Sequence, residues 1–319
     1  MKILVTPTSL NAKSNPDAIA RLASFADEIV YNDLGRPLEP QEIVERLDGV
    51  DGYIAGLDFI TADVIKAAPK SLKVISRYGA GCDRVDIKAA AEKGVVVTFT
   101  PGVNANAVAD LAMGLMLSVA RRIPMLDRKT KQGEWTRSTG VELYGKTLGI
   151  VGIGAIGKNL AKRAAGFEMK LLAYDPYGDR EYMAKNGIED VTLNYLLQSS
   201  DFVSLHLPLN DQTRYILSKE AIAKLKEGAI VINASRGGLI DESAAYEALK
   251  SGRMGGLGLD AFEKEPPEAS PLFDLDNVVV TPHTGAHTHE ASIGMGSLAV
   301  QNLVDVLGGG ECRYIVRSK

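Results

Sequence analysis

The chain has 319 residues, 45% of them hydrophobic and 24% charged, with a net charge of −4 and a pI near 5.7. That length suits two domains with a core each, and the mild acidity excludes a surface built to attract nucleic acid or an anionic membrane. The start, MKILVTPTSL, enters a strand with no leader-like apolar region, and the most apolar helical run, Val108 to Ala120, contains Asp110 and meets Arg121 and Arg122, so neither a signal peptide nor a membrane span is expected.

The first hundred residues alternate strand and helix patterns. Apolar runs at Ile3–Thr6, Glu28–Tyr31, Gly52–Ala55, Val74–Ser76 and Val95–Phe99 are separated by helical spacing near Pro16–Ala23, Gln41–Leu47, Ala62–Ala68 and Ile87–Lys93. Such alternation implies a parallel sheet covered by helices on both faces. Thr100-Pro101-Gly102 breaks it, and a helix follows from about Asn106 to Arg122. A polar segment, Asp127 to Val141, then carries the only tryptophan, Trp135. Two cysteines, Cys82 and Cys312, lie far apart outside any CxxC context, which points to a reducing cytoplasm and no disulfide framework.

The stretch from Thr147 to Asp175 organises the second half. Its apolar run, Leu148 to Ile153, reads as a buried strand, and after Gly157 the spacing becomes helical, with Leu160, Ala161, Ala164 and Ala165 on one face. The glycines Gly152, Gly154 and Gly157 stand at the switch. In that context they turn the chain sharply, let a pyrophosphate approach bare backbone at a helix N-terminus, and let helix pack closely on strand. A second strand, Lys170 to Tyr174, ends in Asp175, where the dinucleotide pattern places an acid on the adenosine ribose hydroxyls. Strands at Phe202–Leu205, Ala229–Asn233, Gly256–Asp260 and Val278–Thr281 bring the count to about six. A last helix is expected from about Glu290 to Leu307, with a possible strand at Arg313 to Val316.

Ligands of open α/β sheets bind beyond the carboxyl ends of the strands. At those ends stand His206, Arg236, Asp260 with Glu265, and His283. An arginine can clamp a carboxylate and polarise a carbonyl. A histidine backed by a carboxylate can exchange a hydroxyl proton near neutral pH, the carboxylate favouring the imidazolium. Glu265 is the carboxylate expected to back His283, on a Pro-rich loop that it shares with Glu263 and Glu268. Asp260 reads as a cofactor-side group, and His206 as cofactor-side or structural. Three of the four histidines, His283, His287 and His289, crowd one segment, but Pro282 and Gly285 mark a loop and HExxH is absent, so no metal is expected.

With these motifs assembled, the chain resembles the D-isomer-specific 2-hydroxyacid dehydrogenases over essentially its whole length. TLGIVGIGAIGKNLAKRAAGFEMKLLAYDP, HLPLNDQTRYIL, INASRGGLIDESAAYEAL, GLDAFEKEPP and VVVTPHTGAHTHEA match that family's signatures in order and spacing. The resemblance implies two doubly wound parallel-sheet α/β domains (Rossmann- and flavodoxin-like) with a cleft between them. Residues 1–100 plus 286–319 would form the substrate-binding domain and 101–285 the NAD-binding domain, with crossings near 100 and 285. It implies NAD as cofactor, lined by Ala155, Ile156, Leu207, Pro208, Thr213, Ala234, Ser235 and Gly285, with Asp260 on the nicotinamide amide. It implies Arg236 orienting a small 2-hydroxy or 2-keto acid, Glu265 tuning the base, and His283 as acid/base.

In SRYGAGCDRVD the family loop would hold the substrate carboxylate on backbone N–H groups of Tyr78, Gly79, Ala80 and Gly81, with Leu57, Phe59, Arg77 and Tyr78 near the substrate side chain. The nearest branch is the phosphoglycerate dehydrogenases, where an arginine at the Arg77 position helps hold phosphate. That branch often has a second anion-binding arginine where this chain has Ala55, followed by Gly56 and Asp58, which counts against a phosphorylated substrate and leaves two types open, 3-phosphoglycerate/phosphohydroxypyruvate and glyoxylate/hydroxypyruvate. The chain ends soon after its final helix, so a serine-responsive regulatory extension is not expected either. The segment Ala105–Val141 would form a two-fold contact in a homodimer, consistent with Trp135 on a polar segment. A second hypothesis is a non-catalytic NAD(H)-sensing corepressor on the same fold, which could dispense with Arg236, Glu265 and His283.

Overall fold

In the computed structural model, which describes residues 1–317, the chain divides into two compact units, Met1–Asn104 with the chain from His287 onward, and Ala105–Ala286. The first holds a five-stranded parallel sheet of β1 (Lys2–Val5), β2 (Glu28–Tyr31), β3 (Gly52–Ala55), β4 (Val74–Arg77) and β5 (Val96–Thr98), in the order β2-β1-β3-β4-β5. This is a doubly wound order whose direction reverses at β1. Every residue of β3 and β4 is buried, as a strand covered on both faces requires.

One face of this sheet packs Leu4, Tyr53, Ile75 and Val97 against Ile43, Val64 and Ile65 of its helices. On the other lies the last helix, His289–Leu307, so close to β3 that a Cβ on Gly52 would stand 3.0 Å from Leu303 and Leu307 side-chain atoms. Polar bonds fix its register: Ser76 Oγ donates to the Ala299 carbonyl (2.8 Å) and Asn302 Nδ2 to the Phe99 carbonyl (3.0 Å). The tail contributes an antiparallel bridge, Ile315 to Thr98, rather than a full strand.

The second unit holds seven strands: β6 (Thr147–Val151), β7 (Lys170–Tyr174), β8 (Ile188–Asp190), β9 (Phe202–Leu205), β10 (Ala229–Asn233), β11 (Met254–Leu259) and β12 (Val278–Val280). They run parallel in the order β12-β11-β10-β9-β6-β7-β8, the dinucleotide-binding order extended by one strand. Side-chain alternation splits β10 cleanly: Ile230 and Ile232 join the core beneath the Ala105–Ala120 helix, while Ala229 and Val231 face the opposite core. That helix is apolar almost all round because it is buried.

Two elements differ from the sequence reading. The sheet has a seventh strand, β8, whose sequence Ile-Glu-Asp has one apolar residue and buries only that one, so it carries no strand-like pattern. The polar segment expected after the long helix begins as a helix, Ile123–Lys131, which buries Met125 alone. Among the described residues no helix is long and apolar enough to cross a membrane.

Candidate active site

The order of the second sheet reverses between β6 and β9, and the turns leaving those two strands meet there. Gly152 follows β6 with φ +99°, and a Cβ on it would stand 2.8 Å from the carbonyl carbon of His206, which follows β9. Gly157 touches the same turn: its Cβ would lie 2.3 Å from the Gly152 carbonyl oxygen, so only glycine lets the Ala155–Ala165 helix approach the strand this closely. Gly154 is different, with nothing within 4 Å of its would-be Cβ. The cradle is therefore tight below and open above, at the first helical amides, which is where an anion is held at a helix N-terminus. Ala155 and Ile156 open that helix beside it.

Asp175 closes the far side of the turn. Its carboxylate accepts from the Ile153 N–H (3.0 Å) and the Tyr177 N–H (2.9 Å), which fixes it at the end of β7. Arg180, the next cation after it in the chain, pairs instead with Asp190 at 3.1 Å. These groups fit a dinucleotide whose ribose hydroxyls, rather than a 2′-phosphate, meet the acid.

His206 presents a half-buried ring whose Nε2 lies 2.9 Å from Ser204 Oγ, while Nδ1 is shielded from solvent with no partner among the described residues. Burial lowers its pKa to about 4, so the ring is neutral across the physiological range. After it, Thr213 staples the Leu207–Thr213 turn by donating to the Pro208 carbonyl (2.6 Å), and Ser235 Oγ donates to the Leu207 carbonyl (2.7 Å), joining the ends of β9 and β10. Ala234 is buried at the same edge. Arg236 follows, with Nη1 donating to the Ser235 carbonyl (2.8 Å) and its own carbonyl taken by Asn233 Nδ2 (2.7 Å).

At the ends of β11 and β12 the groups interlock. Asp260, 2% exposed, accepts from Thr281 Oγ1 (2.6 Å) and the Thr284 N–H (2.7 Å) on one oxygen and from the Gly285 N–H (2.8 Å) on the other. The loop it fixes carries His283 in the left-handed region, φ +49°. His283 Nδ1 lies 2.9 Å from each Glu265 oxygen, and Glu265 also accepts from the Phe262 N–H (3.1 Å). The three glutamates of this loop thereby separate: Glu263 accepts from the Tyr215 hydroxyl (3.1 Å), Glu268 pairs with Lys264, and Glu265 alone of them meets the histidine.

In the first unit the loop after β4 departs from expectation. Its four amides are not all offered outward: the Tyr78 N–H donates to the Ala55 carbonyl (3.0 Å) and the Gly79 N–H to Thr100 Oγ1 (2.9 Å). Both are consumed because the loop must close against β3 and the end of β5, which leaves the amides of Ala80 and Gly81. Arg77, 3% exposed, donates to the Ala55 carbonyl (2.9 Å) and the Gly81 carbonyl (3.2 Å), holding both ends of the loop. The Tyr78 hydroxyl accepts from Ser9 Oγ (3.1 Å) and donates to the Ser292 carbonyl (3.1 Å). Sequence spacing did not disclose Ser9, Thr100, Thr281 or Ser292, since each acts through a hydrogen bond to a residue remote in the chain.

Residues 113–285 match the model of the D-isomer specific 2-hydroxyacid dehydrogenase NAD-binding domain. The chain belongs to this family. It is 46% identical to hydroxypyruvate reductase of Thermotoga maritima, over 85% of this chain and 89% of that one. It is 44% identical to D-3-phosphoglycerate dehydrogenase of Methanocaldococcus jannaschii, over 99% of this chain, although it spans only 59% of that longer relative. Among solved structures, a glyoxylate reductase from Paecilomyes thermophila superposes with a TM-score of 0.88 at 31% identity, covering 99% of this chain and 98% of that one. The family's domain description makes NAD the cofactor, and the glycine cradle with Asp175 fits it.

Two outcomes test this geometry. Gly154→Ala places its methyl in open space at an ordinary φ of −71°. It is expected to leave the melting temperature unchanged while weakening NADH binding about tenfold or more, whereas Gly157→Ala should lower the melting temperature as well. Calorimetry beside NADH fluorescence titration reads both, and equal NADH affinity in Gly154→Ala would refute the phosphate approach. The second concerns His206, whose folded pKa lies below its unfolded value near 6.5. The unfolded chain then binds the extra proton between about pH 6.5 and pH 4, so this contribution is present above that window and lost as pH falls through it. Urea denaturation across that range should show His206→Gln less acid-sensitive than the parent by about 2 kcal/mol; parallel acid limbs would show that His206 is not held neutral.

Proposed function

We propose that this chain is an NAD-dependent oxidoreductase that interconverts a small 2-hydroxy acid and its 2-keto acid, with the first unit binding substrate. The observation that carries the reading is the His283–Glu265 pair, in which Nδ1 sits 2.9 Å from both carboxylate oxygens. The carboxylate fixes the ring's tautomer and orientation, leaving Nε2 to give a proton to the substrate oxygen in reduction and to take it back in oxidation. Arg236 clamps the substrate and polarises its carbonyl. The Ala80 and Gly81 amides take the substrate carboxylate, while Arg77 holds the loop that presents them. NAD, when bound, supplies the hydride acceptor and NADH the donor. The relatives named hydroxypyruvate reductase and glyoxylate reductase support a substrate of two or three carbons.

In this reading the protein works in the cytoplasm, in keeping with Cys82 and Cys312 remaining thiols. It works as a homodimer whose contact includes Trp135. That indole is 85% exposed, and Ile123, Val141 and Tyr144 around it in sequence are exposed as well, a cost that a second subunit would remove.

Steady-state kinetics test the chemistry. His283→Ala and Arg236→Ala are each expected to lower turnover by about a thousandfold while NADH binding stays within a few-fold of the parent. Near-parental rates in either variant would overturn the assignment. Sedimentation at micromolar concentration tests the assembly: the parent should run as a dimer and Trp135→Ala should shift toward monomer, and a monomeric parent would remove the role given to Trp135.

A further inference from the structure

Arg236 follows β10 and Glu265 follows β11, so the two are carried on separate loops of neighbouring strands. The loops meet at the peptide between Phe262 and Glu263. Gly237, next in the chain after Arg236, lies so close to it that a Cβ there would stand 1.9 Å from the Phe262 carbonyl oxygen and 2.5 Å from the Glu263 nitrogen. Backbone cannot yield to a side chain at that distance, so glycine is what lets the two loops touch. The two successive amides of this stretch are both taken by carboxylates: Glu265 accepts from the Phe262 N–H (3.1 Å) and Glu242 from the Glu263 N–H (2.8 Å).

Glu242 opens the helix Glu242–Lys250, which follows the Arg236 loop. An acid in the first turn of a helix is ordinary, since it meets the positive end of the helix dipole. This helix, however, already has its cap, because Asp241 accepts from the Ala244 N–H (2.9 Å). Glu242 reaches across to the neighbouring loop instead, and Glu263 reaches back, accepting from the Glu242 N–H at 3.3 Å. Tyr215, whose N–H donates to the Gly238 carbonyl (2.7 Å), gives its hydroxyl to the other Glu263 oxygen (3.1 Å), tying the same two loops again. The Phe262 ring, 6% exposed, meets Phe273 edge-on at 6.0 Å and anchors the stretch in the core.

The brace is built from unfavourable parts. Burial raises the pKa of Glu242 and the bond from the Glu263 N–H lowers it, while the carboxylates of Glu263 and Glu265 raise it further. Satisfying one amide with a glutamate set near two others works against stability, which fits a role in holding an active site in shape. Resting on the dehydrogenase reading above, we infer that Glu242 is a positioning residue of the reaction: by holding the Glu263 N–H it fixes the loop on which Glu265 stands, and so sets the Glu265–His283 pair against Arg236.

Two substitutions separate reach from charge. Glu242→Gln keeps an oxygen at the same distance and loses the charge, whereas Glu242→Asp keeps an acid at the helix start but falls one methylene short of the Glu263 N–H. The parent and both variants are assayed for NADH-dependent reduction of whichever of glyoxylate, hydroxypyruvate and phosphohydroxypyruvate the parent reduces best, with NADH affinity read by fluorescence titration. Glu242→Asp is expected to lower kcat about tenfold or more, with NADH affinity within about twofold of the parent, and Glu242→Gln to stay within about threefold in both. A parental kcat in Glu242→Asp, a loss in Glu242→Gln as deep as in Glu242→Asp, or a loss of kcat matched by an equal loss of NADH affinity overturns the inference, while turnover by the parent upholds the dehydrogenase reading. If the parent reduces none of the three acids, the dehydrogenase reading itself fails, and this inference with it.

Discussion

The candidate catalytic groups depend on a buried carboxylate that does not touch the histidine itself. Asp260 would be costly at 2% exposure without partners, but three donors from the segment Thr281 to Gly285 satisfy it. In return that segment is held in one conformation, including the left-handed backbone at His283. The end of β11 thus supplies both the anchor of the loop, Asp260, and the partner of the ring, Glu265. The end of β12 supplies the loop and the ring. Two neighbouring parallel strands hold each other's contributions in place, so the geometry of the pair rests on sheet register rather than on a flexible loop.

The same economy of polar groups runs through both units. At strand ends, where backbone amides leave the ladder, side chains close the loops: Thr213 and Ser235 at β9 and β10, Arg77 and Thr100 at β4 and β5. A donor consumed this way is closed to a ligand. His206 extends the pattern in a different manner, since burial keeps it uncharged beside the open glycine cradle. A neutral ring there leaves the positive end of the helix as the local source of attraction for an anion.

Much of the fold was legible because burial on both faces leaves a plain mark on sequence. Ala229–Asn233 is apolar until its last residue and is a central strand over that span. The glycine turn was equally plain, since a sharp turn, an open approach and a close helix contact each demand the loss of a side chain. Ile188–Asp190 was not legible: an edge strand of three residues that buries only its first has no pattern to show. Glu265 was picked out as the partner of His283, but what Glu263 and Glu268 meet was hidden for another reason. Glu263, Glu265 and Glu268 sit in a loop without periodicity, and only the contacts of Tyr215, His283 and Lys264 tell them apart. The amides of Tyr78 and Gly79 were misjudged because the groups that consume them, Ala55 and Thr100, stand more than twenty residues away in the chain.

The hydrogen bond from the Tyr78 hydroxyl to the Ser292 carbonyl joins residues 214 positions apart, and Ser76 to Ala299 joins residues 223 apart. The second unit, by contrast, is one continuous run, Ala105–Ala286. On the ribosome, then, the later-synthesised unit can complete its core first, while the earlier one waits with one face of its sheet uncovered until the last helix emerges. Completion of the two cores would then run against the order of synthesis. The segment that holds the loop after β4 in shape is made after the whole of the second unit.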